Sequence, residues 1–277
     1  MAKNDWNDVQ NIFNTVDKNY LDKFLKSTDK FCPSNHHINI FDKEGNSFSA
    51  KLLNKPNPGN WIPIYKKEEL AEYFINNNLM PIRCGQAEFF FFRGNIFLDL
   101  TPINFHFVNI KSLKQIDSFI PITLENFHKN ENAYLNKSLS IGIINHFIDS
   151  DLNYRRLQYG QFGKIKTNFT LEFITSHGTK EINKGFQFEI DFVLENKDEI
   201  IIFEAKQGSK PRTTFSLLQL YYPLIYLTKI TNNQKKIRTI FIDIVSDKNN
   251  EIYKLTELEF VNCEFDNLNI IKSIQYN

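Results

Sequence analysis

The stretch "EIDFVLENKDEIIIFEAKQG", residues 189–208, contains six acidic residues, and two of them interrupt apolar runs. Asp191 lies among Ile and Phe, and Glu204 follows "IIIF". Short runs of β-branched and aromatic residues on either side of "ENKDE" are typical of two strands joined by a turn. Because a carboxylate loses hydration when it is packed among apolar side chains, acids at such positions require compensating partners. The segment therefore predicts a β-hairpin in which two poorly hydrated carboxylates need compensating partners.

The register of this hairpin follows from its turn. A loop over residues 196–199 pairs Glu195 with Ile200, so that Asp191 lies across from Glu204 and Glu189 lies across from Lys206. A shift of the pairing by one residue would put the two acids on opposite faces.

Three arrangements could relieve the repulsion between Asp191 and Glu204: a shared proton, a nearby cation or a bound divalent metal. Lys206 can neutralise one of the two charges, and Mg²⁺ prefers the carboxylate and carbonyl oxygens that this segment offers. A divalent ion beside an ammonium can catalyse phosphodiester hydrolysis. The alternative is an ordinary Glu-x-Lys triplet on a solvated strand, because short motifs often match by chance.

The composition restricts the remaining possibilities. The chain has 277 residues, 42% of them hydrophobic, and a formal net charge of +1, so nucleic-acid binding would have to rest on a local patch. The three cysteines are far apart, which argues against zinc or disulfide frameworks. The first ten residues lack the apolar core of a signal peptide, and no apolar run approaches bilayer length. We expect a cytoplasmic protein without membrane association.

The pattern along the chain changes between residues 110 and 120. Residues 1–115 read as an N-terminal α+β region, with helices in 4–30, a hairpin over 38–53, a helix ending near Pro81 and strands to residue 100. Residues 116–277 predict an α/β or α+β domain with a mixed sheet: a helix over 131–151, strands around the hairpin, a helix over 213–230 interrupted by Pro223, and further strands.

At the hairpin the chain resembles the PD-(D/E)XK nuclease superfamily, whose core carries an Asp and then (Asp/Glu)-x-Lys on the adjacent strand. Here these are Asp191 and "EAK" (204–206), with "ID" in place of "PD". The motifs "FQFEIDFVLE", "IIIFEAKQG" and "QLYYP", in that order, together with the "NENAYLNKSLSIGIINHF" and "YRRLQYGQFG" segments, are similar to a group of type II restriction endonucleases. The resemblance covers residues 120–230 and implies a restriction-endonuclease-like mixed β-sheet core flanked by helices.

The resemblance also implies roles for particular residues. Asp191, Glu204 and the carbonyl of Ala205 would bind Mg²⁺, and Lys206 would be the catalytic lysine. Three further residues have a candidate catalytic role and an ordinary alternative. Glu131 would contact metal-bound water or merely favour a helix N-terminus; Glu189 would orient Lys206 or form a cross-strand ion pair; Gln219 would bridge the lysine and DNA or be a polar tip on a core helix.

Polar and basic residues near the acids are candidates for binding double-stranded DNA. The "QGSKPRTT" segment follows the "EAK" strand and is expected to lead into a helix N-terminus, where phosphate binds readily. Arginine and glutamine can read base edges, although most such charges are simply solvated. The predicted DNA-binding residues are of two kinds. The candidates for base contacts are Arg155, Arg156, Gln158, Gln161 and Arg93, and the basic residues that could line the same cleft include Lys164, Lys210 and Arg212.

The expected function is a Mg²⁺-dependent type II restriction endonuclease that cuts both strands of a short duplex site. A palindromic site would favour a homodimer, and a DNA methyltransferase acting on the same site is a possible partner. Two alternatives stay open: a structure-specific repair or recombination nuclease of the same fold, and a catalytically inactive DNA-binding module.

Overall fold

The computed structural model describes residues 37–41, 47–51, 67, 70, 72–84, 89–114, 130–149, 158–160, 163–246 and 250–277. The helices predicted within 4–30 lie outside these residues. In chain order the described elements are β1 (His37–Phe41), β2 (Ser47–Lys51), α1 (Glu72–Asn76), β3 (Leu79–Arg83), β4 (Phe89–Arg93), β5 (Phe97–Asp99), β6 (His106–Val108), α2 (Glu131–Ser140), α3 (Ile143–Phe147), β7 (Gln158–Gly160), β8 (Gly163–Lys166), β9 (Leu171–Thr175), β10 (Gly178–Ile182), β11 (Gln187–Ile190), β12 (Phe192–Glu195), β13 (Glu199–Gly208), β14 (Thr214–Ser216), α4 (Leu218–Ile230), β15 (Lys236–Ser246), β16 (Glu251–Phe260) and β17 (Leu268–Tyr276).

The chain divides into two compact units, each built from discontinuous segments. The first unit comprises Met1–Leu98, Lys166–Gln187 and Thr214–Leu217, and the second comprises Asp99–Ile165, Phe188–Thr213 and Leu218–Asn277. The sequence suggested a single boundary after residue 115, whereas the chain crosses between the units several times. Both units contain described strands, and the protein is a mixed α+β protein.

The first unit contains three antiparallel strand pairs among its described residues. β1 and β2 form the predicted hairpin, and β3 pairs with β4 and β9 with β10 in the same sense. Phe90 and Phe92 both contact the Phe173 ring edge to face, which ties β4 to β9. These aromatic contacts account for two of the four phenylalanines in the run "FFFF" (89–92).

The second unit contains a mixed seven-stranded sheet in the order β6-β17-β16-β15-β13-β12-β7. β13 runs parallel to β15, while β12, β16 and their outer neighbours β7 and β17 add antiparallel pairs. The apolar run of β13 is buried, as expected for a central strand covered on both faces. The mixed sheet predicted from the sequence is therefore confirmed.

One face of this sheet packs against α2 and α3. Tyr134 and Leu135 of α2 belong to the same apolar cluster as Phe203 and Ala205 of β13. The single helix predicted over 131–151 is wrong, because Gly142 adopts a left-handed conformation (φ 86°) and separates α2 from α3.

The helix predicted over 213–230 begins later than expected. Residues Thr214–Ser216 form β14, which pairs with β5, and α4 starts only at Leu218. Pro223 lies inside α4, so the helix continues through the expected interruption. α4 contacts β13 and β15. Among the described residues no helix is long and apolar enough to cross a membrane.

The hairpin register is confirmed for the four pairs of β12, from Glu195–Ile200 to Phe192–Phe203. Asn196 stabilises the turn, because its side-chain oxygen accepts hydrogen bonds from the amides of Asp198 and Glu199. Beyond Phe192 the ladder stops, and β11 pairs with β8 instead of β13. The predicted pairing of Glu189 with Lys206 is therefore wrong.

Candidate active site

Asp191 lies at the bend where the hairpin ladder ends, between β11 and β12. The sequence predicted that Asp191 is the ladder partner of Glu204, and this prediction is wrong. Its carboxylate instead turns towards β13, where Oδ2 accepts a hydrogen bond of 3.0 Å from the amide of Ala205. The bend therefore still directs the Asp191 carboxylate to the residue next to Glu204.

Glu204 is a buried acid, with only 4% of its surface exposed. Its side chain points away from the α2–α3 face, because its neighbours Phe203 and Ala205 belong to the apolar cluster on that face. Oε1 accepts hydrogen bonds from Lys206 Nζ at 2.6 Å and from Gln219 Nε2 at 2.5 Å. Burial raises the pKa of Glu204 to about 8; Lys206 acts in the opposite direction, and Asp191 and Glu131 add to the increase.

Lys206 joins the acidic side chains. Its Nζ lies 2.6 Å from Glu204 and 3.8 Å from Oε2 of Glu131. Burial lowers the pKa of Lys206, but Glu204, Asp191 and Glu131 outweigh that effect and raise it above the ordinary value. The side chain is therefore an ammonium at neutral pH.

Three further candidates were predicted around this centre, and the structure brings two of them to it. Glu131 is in the first turn of α2 and reaches Lys206, and Gln219 is in the first turn of α4 and reaches Glu204. Glu189 is exposed on β11, which pairs with β8. Its expected role in orienting Lys206 depended on a ladder pairing of the two residues, and β11 does not form that pairing.

The described hydrogen bonds use one oxygen of each proposed metal ligand. They go to Oδ2 of Asp191 and Oε1 of Glu204, so the second oxygen of each carboxylate has no hydrogen-bond partner among the described residues. Within the same part of the chain no group of three or more His, Cys, Asp or Glu side chains could hold a metal ion. A metal here would therefore rest on two carboxylates, with the carbonyl of the buried Ala205 and water completing its coordination. This donor set suits Mg²⁺, which usually keeps several waters.

The predicted DNA-binding residues have different outcomes. Arg155, Arg156 and Gln161 lie outside the described residues, and Gln158 is on β7 with its side chain undescribed. Lys164 is exposed on β8, and Lys210 is exposed in the connection after β13. Arg212 is half-buried and folded back onto the protein, and the segment leads into β14 rather than directly into a helix. Arg93 belongs to the first unit.

Asp243 is a buried acid that the sequence reasoning missed. It is 3% exposed on β15, and in the parallel ladder it is the partner of Lys206. Burial raises its pKa, although Arg212 and Lys254 act in the opposite direction. The signal was present in the sequence, since Asp243 interrupts the apolar run "IRTIFIDIVS" as Glu204 interrupts its own.

Comparison with protein families identifies the larger part of the chain. Residues 93–277 match the family described as a domain of unknown function, DUF6997, and the chain belongs to that family. The match includes every residue of the candidate site. Searches against curated proteins and against solved structures gave no match.

Proposed function

We propose that this protein is a Mg²⁺-dependent type II restriction endonuclease that hydrolyses both strands of duplex DNA at a short specific sequence. The observation that carries the proposal is the meeting of Asp191, Glu204 and Lys206 at one end of β13, with Glu131 and Gln219 in contact with them. Five polar side chains from four parts of the chain converge there beside a buried apolar run. Such convergence of perturbed titratable groups is typical of catalytic sites.

Asp191 and Glu204 would hold the metal through the oxygens that their hydrogen bonds leave unused. When bound, Mg²⁺ polarises a phosphoryl group and lowers the pKa of water. Gln219 would keep Glu204 in place, because its amide donates to the same oxygen as Lys206. The residues thus divide into two ligands and the donors that orient one of them.

Lys206 would act as a cation. Its raised pKa keeps the ammonium protonated, so the side chain can donate a hydrogen bond to the attacking water and offset the charge that develops on the phosphate. A role as a general base is disfavoured for the same reason. Glu131, at 3.8 Å from Nζ, would orient the ammonium or accept a proton from water near it.

The arrangement of the second unit supports the finer fold proposal, a restriction-endonuclease-like core. The central parallel pair, β13 and β15, is connected through α4, and α2 covers the opposite face. A homodimer on a palindromic site, and a methyltransferase that protects the same site, belong to this proposal. The alternatives are a structure-specific nuclease and an inactive DNA-binding module of the same fold.

Incubation of the protein with plasmid DNA tests the proposal. We expect discrete fragments in Mg²⁺, none in EDTA, and loss of cleavage by at least about 100-fold in Asp191→Ala, which removes a proposed ligand. Asp198→Ala is the matched control, because this exposed acid lies at the turn of the same hairpin. It should cut as the wild type does.

The other outcomes decide between the candidates. A smear of products would favour the structure-specific nuclease. Duplex binding without cleavage, unchanged by Asp191→Ala or Lys206→Ala, would favour the inactive module. A folded protein that neither binds nor cuts DNA in Mg²⁺ would refute the nuclease proposal.

A further inference from the structure

Residues 209–213 connect β13 to β14. They are mostly exposed, but a hydrogen bond to the buried Asp243 attaches them to the sheet. Ser209, Lys210, Pro211 and Thr213 are exposed, whereas Arg212 is half-buried. The connection starts three residues after Lys206, so its backbone continues from the end of the strand that carries the candidate active site.

Asp243 is the buried end of this attachment. Its Oδ2 accepts a hydrogen bond of 3.1 Å from the amide of Arg212, while the guanidinium of Arg212 donates to the carbonyl of Gln207 at 3.4 Å. Arg212 therefore attaches the end of the connection to Asp243 on β15. It also contacts Gln207 on β13, just before the connection begins.

The connection turns tightly at its start. A Cβ added to Gly208 would lie 3.4 Å from the carbonyl oxygen of Lys210, so the backbone of Lys210 passes close above Gly208. This close approach brings Lys210 back towards the end of β13. The backbone of the exposed Lys210 thus lies close to Gly208, two residues after Lys206 on β13.

Asp243 has more cationic neighbours than it can neutralise. Besides Arg212, it faces Lys254, its ladder partner on β16, whose Nζ lies over the ring of Phe105 at 5.3 Å from the centroid. The group of Asp243, Arg212 and Lys254 carries an excess of one positive charge. Such a local excess suits an anionic ligand, in contrast to the three carboxylates of Glu204, Asp191 and Glu131 around Lys206.

The Arg212–Asp243 pair is also incompletely satisfied. Arg212 Nε and Asp243 Oδ1 are buried, lie 3.7 Å apart and have no hydrogen-bond partner among the described residues. A buried ion pair with unused hydrogen-bonding capacity contributes little to stability, and apolar residues would hold the connection at lower free-energy cost. Stability alone therefore does not explain why this acid is buried next to Lys206.

We propose that Asp243 is a positioning residue that, through Arg212, holds the 209–213 connection so that Lys210 contacts the DNA backbone beside Lys206. This inference rests on the proposed function and extends it. It replaces the expected DNA contact of Arg212 with an internal role and assigns the phosphate contact to Lys210.

The test measures binding of a fluorescent duplex in EDTA, where no cleavage occurs, at several salt concentrations. Lys210→Ala should weaken binding by about 3- to 10-fold and reduce the salt slope by about 1, because one phosphate contact is lost. Asp243→Asn, which keeps an acceptor but removes the charge, should have the same effect. The double variant should bind within about twofold of either single variant, because both changes remove the same contact.

Glu257→Gln is the matched control, since Glu257 is also a buried acid on the same sheet and is paired with Arg238. It should lower the melting temperature without changing the salt slope. If Asp243→Asn fails to fold, Arg212→Gln replaces it in the test. Arg212→Gln should reproduce the loss of binding seen with Lys210→Ala.

The inference is overturned if Asp243→Asn lowers only the melting temperature, as Glu257→Gln does, or if its effect and that of Lys210→Ala are additive. Plasmid cleavage in Mg²⁺ is measured separately. A wild type that binds the duplex but cuts nothing refutes the endonuclease and leaves the positioning role to be judged by binding. A wild type that does not bind in EDTA overturns the inference, and it refutes the endonuclease as well only if it neither binds nor cuts DNA in Mg²⁺.

Discussion

Arg238 and Lys206 are both cations among carboxylates on the seven-stranded sheet, but their surroundings are built differently. Arg238 donates to both oxygens of Glu257, at 2.7 and 2.9 Å, and lies 3.7 Å from Glu199. Lys206 and Gln219 instead donate to the same oxygen of Glu204.

The two groups differ in how many of their carboxylate oxygens accept a hydrogen bond from another described residue. At Arg238 the two oxygens of the buried carboxylate are used within the protein, in the bidentate geometry that strengthens ion pairs. At Lys206 one ammonium faces Glu204, Asp191 and Glu131, and one oxygen each of Asp191 and Glu204 has no hydrogen-bond partner in the described part of the chain. We infer that the Arg238 group serves stability, while the Lys206 group maintains a strained charge distribution for function. Four predictions test this contrast.

The largest effect is expected from the same substitution in the two groups. Glu204→Gln should reduce DNA hydrolysis by about 1000-fold, because it removes a proposed metal ligand while keeping the shape of the side chain. Glu257→Gln should change hydrolysis by less than about threefold. Plasmid cleavage rates in Mg²⁺ measure both, and equal losses in the two variants would abolish the distinction.

The stability effect should have the opposite order. Arg238→Met leaves Glu257 buried without its partner and should lower the free energy of unfolding by about 3–5 kcal/mol. Lys206→Met should cost much less at pH 6, because Glu204 can stay protonated there. Denaturant melts in EDTA give the comparison, and a larger loss in Lys206→Met would contradict it.

The pH dependence of stability should separate the groups further. The pKa of Glu204 is about 8 in the folded protein against an ordinary value of 4.5, so the folded state binds more protons between these values. The free energy of unfolding should therefore fall as pH rises from about 4.5 to 8, by roughly 2–4 kcal/mol in EDTA. Glu204→Gln should lack this part of the decline, and Mg²⁺ should oppose it in the wild type.

Melting curves across that pH range, with and without Mg²⁺, measure the effect. Parallel pH profiles for the wild type and Glu204→Gln would show that Glu204 does not retain its proton in the folded protein.

The smallest effect is expected at Gln219. Replacement by Leu removes one donor to Glu204 but leaves Lys206 in place, so hydrolysis should fall by only about 5- to 10-fold, with little change in DNA binding. Steady-state kinetics would detect a lower kcat at an unchanged KM. A loss as large as that of Glu204→Gln would mean that Gln219 does more than orient the carboxylate.

The sequence predicted the hairpin well because its information is local. The Asn196 turn and the apolar alternation determine the pairing of Glu195 with Ile200, and the rest of β12 follows. The same reasoning was wrong at Glu189, because the ladder was extended through a bend that allows β11 to pair with β8.

Residues far apart in the chain escaped prediction for a physical reason. Lys206 and Asp243 become neighbours only because α4 returns the chain to a parallel strand, and no pattern within either strand encodes that register. The inward-folded Arg212 was likewise predicted to bind DNA, since its acceptor on β15 cannot be identified from the segment that carries it.

By itself the sequence determined the hairpin, the apolar strands and the acid–acid–lysine set, because strand periodicity and turn chemistry act over a few residues. Only the tertiary structure decided that Asp191 leaves the ladder and bonds to Ala205, and that Glu131 and Gln219 arrive from two helices. It also decided that Asp243 lies beside Lys206. Burial and the packing of distant segments set these relations, since the spacing of residues within a strand cannot specify which other segment covers it.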